Sequence, residues 1–138
     1  MVGVAQPLGI TIDKNDHVYV TIAYSGDPNV YMFATTGTVL RHFGPVDAQG
    51  VGVDNLGNVY AADVVNTGIV KYGPSGVLLT TWGICNTGSG QLQCRDVAIG
   101  TNGGIYVVNS ECNTVQLFGS PATPVYGATW GHLKSLYR

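Results

Sequence analysis

Along most of this chain, apolar and polar residues alternate with a period of two, in runs of about five residues bounded by turn residues. Val, Ile, Thr and Tyr dominate the runs, as in Val18-Tyr19-Val20, Val59-Tyr60-Ala61 and Ile105-Tyr106-Val107. Branched and aromatic side chains suit a pleated, half-buried surface, so the pattern predicts strands. They fall at residues 8–12, 17–21, 30–34, 39–43, 49–53, 58–62, 68–73, 78–82, 95–99, 104–108, 114–118 and 125–130. No long window keeps a helical period, and only the tail 132–138 carries a short one. Tight turns need positive φ, which Gly57-Asn58 and Gly103-Gly104 tolerate. Asp13 and Asp54 are placed to bond backbone amides two residues on.

The runs repeat. Tyr19, Tyr60 and Tyr106 mark the same position at separations of 41 and 46 residues. Phe33 with Phe43, Tyr72 with Trp82, and Phe118 with Trp130 mark the third and fourth strands of the three units. A unit of about 40–45 residues with four strands is the signature of a β-propeller blade. The expected fold is all-β, with three four-stranded blades at about 6–45, 46–84 and 93–131, forming one segment over 1–131. Ile10, Ile12, Val18, Val20, Val51, Val53, Val59, Val97, Ile99, Ile105, Val107 and Leu117 are the expected core, with Tyr19, Tyr60 and Tyr106 on the opposite pleat.

The repeats resemble the NHL family of propellers. Pro7-Leu8-Gly9-Ile10-Thr11-Ile12-Asp13, Val59-Tyr60-Ala61-Ala62-Asp63 and the endings Phe43-Gly44, Trp82-Gly83 and Trp130-Gly131 carry the resemblance, which covers residues 6–131. The chain departs from the family pattern at the third-strand Arg, where Asn29-Val30, Gly68-Ile69 and Thr114-Val115 stand, and at the first-strand Asp of the third repeat, which is Gly100. Members that bind nucleic acid do so through a basic top surface. Enzymatic relatives line a central channel with metal ligands, and no such set is present in this sequence.

Three blades do not close a ring, because propellers use roughly four to eight. An open arc leaves two blade faces without a neighbour. The expected partner is therefore the chain itself, as half of an oligomeric ring or a filament, or the remaining blades of a longer chain. A start at Met1 directly before the first blade suits a fragment. The tail can reach a neighbour through Leu133, Leu136 and Tyr137, which share one helical face.

Composition narrows the function. Lys and Arg number 6 against 8 Asp and Glu, a formal net charge of −2, so no basic face for nucleic acid is expected. No apolar run is long enough for a membrane span, and the first residues lack the features of a signal peptide. Charged residues make up only 10%. Together with the Thr, Asn and Gly content this leans toward an extracellular or cell-surface protein.

Candidate chemistry is sparse. Cys85 and Cys94 bracket the longest interblade insertion and could form a disulfide, with Cys112 as a competing partner for Cys94 or all three thiols reduced. Their spacing with His is not that of a metal site, and no cofactor is expected. His17, His42 and His132 do not recur at equivalent positions and read as solvated. Asp63, Asn66, Asn109, Glu111 and Asn113 lie in equivalent loops after the second strands and form a weak ligand-binding candidate. No Gly-x-Ser-x-Gly elbow occurs, so no catalytic residue is assigned. The expected function is a non-enzymatic scaffold or binding module acting through its blade ends, with a self-assembling structural subunit as the alternative and a piece of a larger propeller protein as the third.

Overall fold

The computed structural model describes residues 6–22, 28–45, 47–65, 68–83, 94–110, 113–119 and 124–129. The strands are β1 (Pro7–Ile12), β2 (Val18–Ile22), β3 (Val30–Phe33), β4 (Val39–Phe43), β5 (Ala48–Val53), β6 (Val59–Asp63), β7 (Gly68–Tyr72), β8 (Leu78–Gly83), β9 (Cys94–Ile99), β10 (Ile105–Asn109), β11 (Thr114–Phe118) and β12 (Pro124–Thr129). Every strand boundary lies within one residue of its expected place, and the described residues contain no helix. Each group of four consecutive strands forms one antiparallel sheet in simple chain order. The first strands of successive sheets lie side by side, β1 against β5 and β5 against β9.

Local chemistry explains the hairpins. Gly57 and Gly103 sit at φ of 82° and 79°, the left-handed region that favours glycine. Asp13 Oδ1 accepts from the Asn15 and His17 amides at 2.8 and 3.0 Å. Asp54 Oδ1 does the same for Leu56 and Asn58, both at 2.9 Å. These are the anticipated Asx turns, and each carboxylate also caps the second amide of its turn.

Two clusters of buried side chains join the sheets. The first sets Tyr19, Val30, Met32 and Phe43 of sheet one against Ala48, Val51, Val59, Ala61, Val70 and Tyr72 of sheet two. In the second, Tyr60, Ala62 and Ile69 of sheet two meet Cys94, Val97, Ile105, Val107 and Phe118 of sheet three, with Trp82 and Ile99 packed alongside. Alternate pleats of β6 therefore serve different junctions, Val59 and Ala61 one way and Tyr60 and Ala62 the other.

The expected core needs correction. Val51, Val59, Val97, Ile105 and Val107 are buried, but Ile10 and Ile12 are 73% and 56% exposed. Val18, Val20, Val53, Ile99 and Leu117 are only half-buried. The register makes Ile10 the counterpart of Val51 and Val97, since these three pair with Val20, Ala61 and Val107. Val51 and Val97 face the preceding sheet, whereas no sheet precedes β1 among the described residues. Tyr19 and Tyr60 do occupy the opposite pleat and are buried there, while Tyr106 is half-buried.

Candidate functional site

Asp63 ends β6 and Asn109 ends β10, at positions that Ile22 fills in β2. Both polar side chains are buried, as is Ile22. Asp63 Oδ1 accepts from the Val65 amide at 3.0 Å and so caps the turn that follows its strand. Its carboxylate also lies near two buried groups of adjoining strands. Burial first, and the Asp63 charge second, push the Tyr72 hydroxyl up to about 12. Burial, again with the Asp63 charge, pushes the Cys94 thiol up to about 12 against a weaker opposing backbone hydrogen bond. Asn113 stays on the surface in a left-handed conformation, φ 49°. Asn66 and Glu111 lie outside the described residues.

Cys94 is a buried free thiol. Cys85 and Cys112, the other candidates for pairing, lie outside the described residues, as do Leu133, Leu136 and Tyr137 of the tail.

A polar cluster that sequence reasoning missed runs along the first strands. Arg95 Nη1 donates to Gln49 Oε1 at 2.9 Å and its Nε to Ser110 Oγ at 3.2 Å. Thr21 Oγ1 accepts from the Gly9 amide at 2.8 Å and donates to the Gln49 carbonyl. A side chain and a backbone group of Gln49 thus tie sheet two to both neighbours. The advance signal was weak: Arg95 is one of 6 Lys and Arg residues, and Gln49 precedes a glycine near the start of an expected strand. Which strands lie side by side decides the pairing, and alternation does not carry that.

The recurrent acids are committed to the turns. Asp13 Oδ2 lies 2.9 Å from His17 Nδ1 and accepts from the Tyr19 hydroxyl at 3.2 Å. Asp54 Oδ2 accepts from Asn58 Nδ2 at 2.8 Å and from the Tyr60 hydroxyl at 3.1 Å. Burial alone would raise both carboxyls, but these hydrogen bonds outweigh it and hold them below the usual 3.8. A carboxylate so held is a poor proton acceptor near neutral pH. His17 is therefore a turn partner of Asp13 rather than a solvated side chain. Among the described residues, no three His, Cys, Asp or Glu side chains come together as a metal site would require.

The chain's two outer sheet faces are the remaining candidate surfaces. On sheet one, Ile10 and Ile12 share a side with Tyr31 and Phe33, the counterparts of Val70 and Tyr72. The Tyr31 ring stacks on His42 at 5.4 Å and lies 6.4 Å from Phe33. On sheet three the outer side carries Ala98, Tyr106, Val108 and Leu117, of which Ala98 and Val108 are exposed.

Comparison with solved structures identifies the architecture. The chain is similar to virginiamycin B lyase from Staphylococcus aureus, at 15% identity and a TM-score of 0.70 over 91% of this chain and 41% of the lyase. A streptogramin B lyase matches at 18% identity and TM-score 0.72 over 93% of this chain and 42% of that one. An auxiliary nutrient binding protein from Bacteroides ovatus matches at 14% and 0.75, over 96% and 34%. The neighbours are β-propeller proteins, so the three sheets are propeller blades. The chain spans less than half the length of each of these proteins. No protein-family profile and no curated protein sequence matches it.

Proposed function

We propose that this chain is a non-enzymatic propeller scaffold of the NHL kind, at work outside the cell or on its surface, that acts by joining further blades through its open faces. The observation that carries this reading is one of matched positions. Ile10 is 73% exposed, where its counterparts Val51 and Val97 are 3% and 4% exposed against a preceding blade. Apolar groups held on a rigid sheet beside stacked aromatic rings mark an interaction surface. The non-enzymatic part is supported by the recurrent acids, Asp13 and Asp54, whose lone pairs are occupied by turn amides and tyrosines. The extracellular part rests on composition, with charged residues at 10%.

Light scattering over a concentration series tests the reading. Association gives a mass at or above twice the 14.5 kDa of one chain. A filament would show as a broad mass rising with concentration. A monodisperse single chain at high concentration refutes association through the blade ends.

A further inference from the structure

One end of the molecule is formed by tight turns, β1–β2, β5–β6 and β9–β10 between inner strands and β3–β4 and β7–β8 between outer ones. These turns are built alike. Asp13 to His17, Asp54 to Asn58 and Gly100 to Gly104 close with the same backbone hydrogen bond, as do Ala34 to Thr38 and Gly73 to Val77. Blade two departs from its neighbours at the tips. Leu56 stands where they carry Asn15 and Asn102, and it is 79% exposed. Pro74 and Val77 stand where blade one carries Thr35 and Thr38, and both are exposed. Leu78 and Leu79 continue the apolar run at the start of β8, each more than half exposed. The two tips touch: a Cβ on Gly57 would stand 3.4 Å from the Pro74 ring, and Leu79 flanks Gly73. Blade two has a blade on each side, and this apolar patch is exposed all the same.

The same end gathers positive charge. Of the four Lys and Arg among the described residues, Lys14, Arg41 and Lys71 lie there, and Arg95 lies at the other end. Arg41 reaches the patch, its Nη1 donating to the Pro74 carbonyl at 3.2 Å. Lys14 is exposed in the first turn. Lys71 Nζ lies 5.0 Å from the centre of the Tyr60 ring, whose hydroxyl bonds Asp54 in the second. Among the described acids of this end, Asp13 and Asp54 hold their oxygens on turn amides and tyrosines, which leaves Asp16 as the exposed one.

We propose that this turn end docks on a membrane surface, with Leu56, Val77 and Leu78 entering the interface of an anionic bilayer and Lys14 and Arg41 meeting its headgroups. The proposal stands beside blade association and does not depend on it. Size favours lipid over a protein partner. The patch is five side chains on two adjoining hairpin tips, whereas a specific protein interface takes roughly 20–30 residues a side. A bilayer accepts a small convex apolar tip because lipids rearrange around it, and its hold adds apolar burial to the attraction of anionic headgroups. Cations beside the tip strengthen that attraction, which salt weakens.

Co-sedimentation of the full chain with vesicles tests this, using phosphatidylcholine alone and phosphatidylcholine mixed with phosphatidylglycerol. The chain should bind the anionic vesicles, less as salt rises. The double variant Leu56→Asn with Val77→Thr gives blade two the residues that blade one uses at these positions, so the turns should keep their form and the β spectrum of the parent. Its binding should weaken by roughly tenfold or more. Lys14→Gln should weaken binding to anionic vesicles by roughly fivefold and leave neutral ones unaffected. Light scattering of each variant without lipid reads chain association separately. No binding to anionic vesicles, equal binding to both kinds, or a double variant that binds as the parent does overturns the proposal. A double variant that loses mass in scattering yet holds vesicles unchanged assigns the patch to contact between chains and overturns it too. A parent that associates but ignores vesicles sinks this proposal and leaves blade association standing.

Discussion

The second strands of the three blades are near copies in sequence and differ in what covers them. All five residues of β6, Val59 to Asp63, are buried. In β2, Val18 and Val20 on the outer pleat are half-buried, while Tyr19 and Thr21 on the inner pleat are buried. In β10 the pattern reverses: Ile105 and Val107 are buried, and Tyr106 and Val108 are not. The same alternation thus yields three burial patterns, set by whether a blade lies before, after or on both sides. Hydrophobicity tells which pleat is apolar, and the neighbour decides whether it is dry.

The sharpest way to break that comparison is to truncate one aliphatic on each kind of surface. Ile69 of the middle blade is fully buried in the second junction. Ile69→Ala should cost about 2–5 kcal/mol, from lost transfer energy plus the cavity left behind. Ile10→Ala, measured on the dissociated chain, should stay within about 0.5 kcal/mol, as for other exposed positions. Urea unfolding of both variants reads the difference. Equal losses would mean that Ile10 is covered after all.

This contrast also marks how far the sequence could be read. Strand positions were legible because tyrosine anchors recur and Asp and Gly turns punctuate them. The exposure of Ile10 and Ile12 was not, because period two assigns a residue to a pleat without saying what packs there. Asp63 and Asn109 were placed in loops as ligand candidates, whereas each is the buried last residue of a strand, a burial that follows from neighbouring strands and turns. The Arg95–Gln49–Ser110 cluster depends on contact between strands of different blades, which lies beyond any local pattern.

Gly50 gives the next effect. An added Cβ there would meet the Cα and Oδ1 of Asp96 and stand 2.9 Å from the Arg95 carbonyl, so backbone would have to move. Gly50→Ala should therefore cost about 1–3 kcal/mol through overpacking between blades two and three. Gly73 is the control, since its nearest neighbour to a new Cβ is Leu79 at an ordinary 3.8 Å. Gly73→Ala should fall within about 0.5 kcal/mol. A harmless Gly50→Ala would show that the first strands do not approach as closely as described.

Alkali should loosen both junctions, the second through Tyr60 and Cys94, whose hydroxyl and thiol burial raises, and the first through Tyr19 and Tyr72. Tyr19 and Tyr72 both belong to the first cluster, and the hydroxyls of both are pushed up to about 12, by burial first and then by the charges of Asp13 and Asp63 respectively. A folded value above the unfolded 10 contributes stability that is complete below pH 10 and is lost as pH rises toward 12. Stability measured against pH should fall across that window, and Tyr72→Phe should shallow the fall. An unchanged slope in the variant would separate Tyr72 from the effect.

The smallest effect concerns the turns, where blades one and two differ from blade three. Asp13 and Asp54 carry their turns through carboxylates, whereas Gly100 stands at that position in blade three and Asn102 Oδ1 accepts from the Gly104 amide at 3.0 Å instead. An amide oxygen does not titrate in this range, so acid should loosen the first two turns and leave the third. Hydrogen bonds hold both carboxyls below the unfolded value of 3.8, against the opposing effect of burial. Their contribution is complete above that pH and is lost as pH falls through the lowered folded values. Asp54→Asn, which keeps an acceptor for the Leu56 and Asn58 amides, should cost about 1 kcal/mol at neutral pH and reduce the acid dependence below about pH 4. Amide hydrogen exchange resolves the blades individually. Leu56 and Asn58 should lose protection on acidification before Gly104 does, and simultaneous loss at all three would show that the carboxylates do not set the acid response.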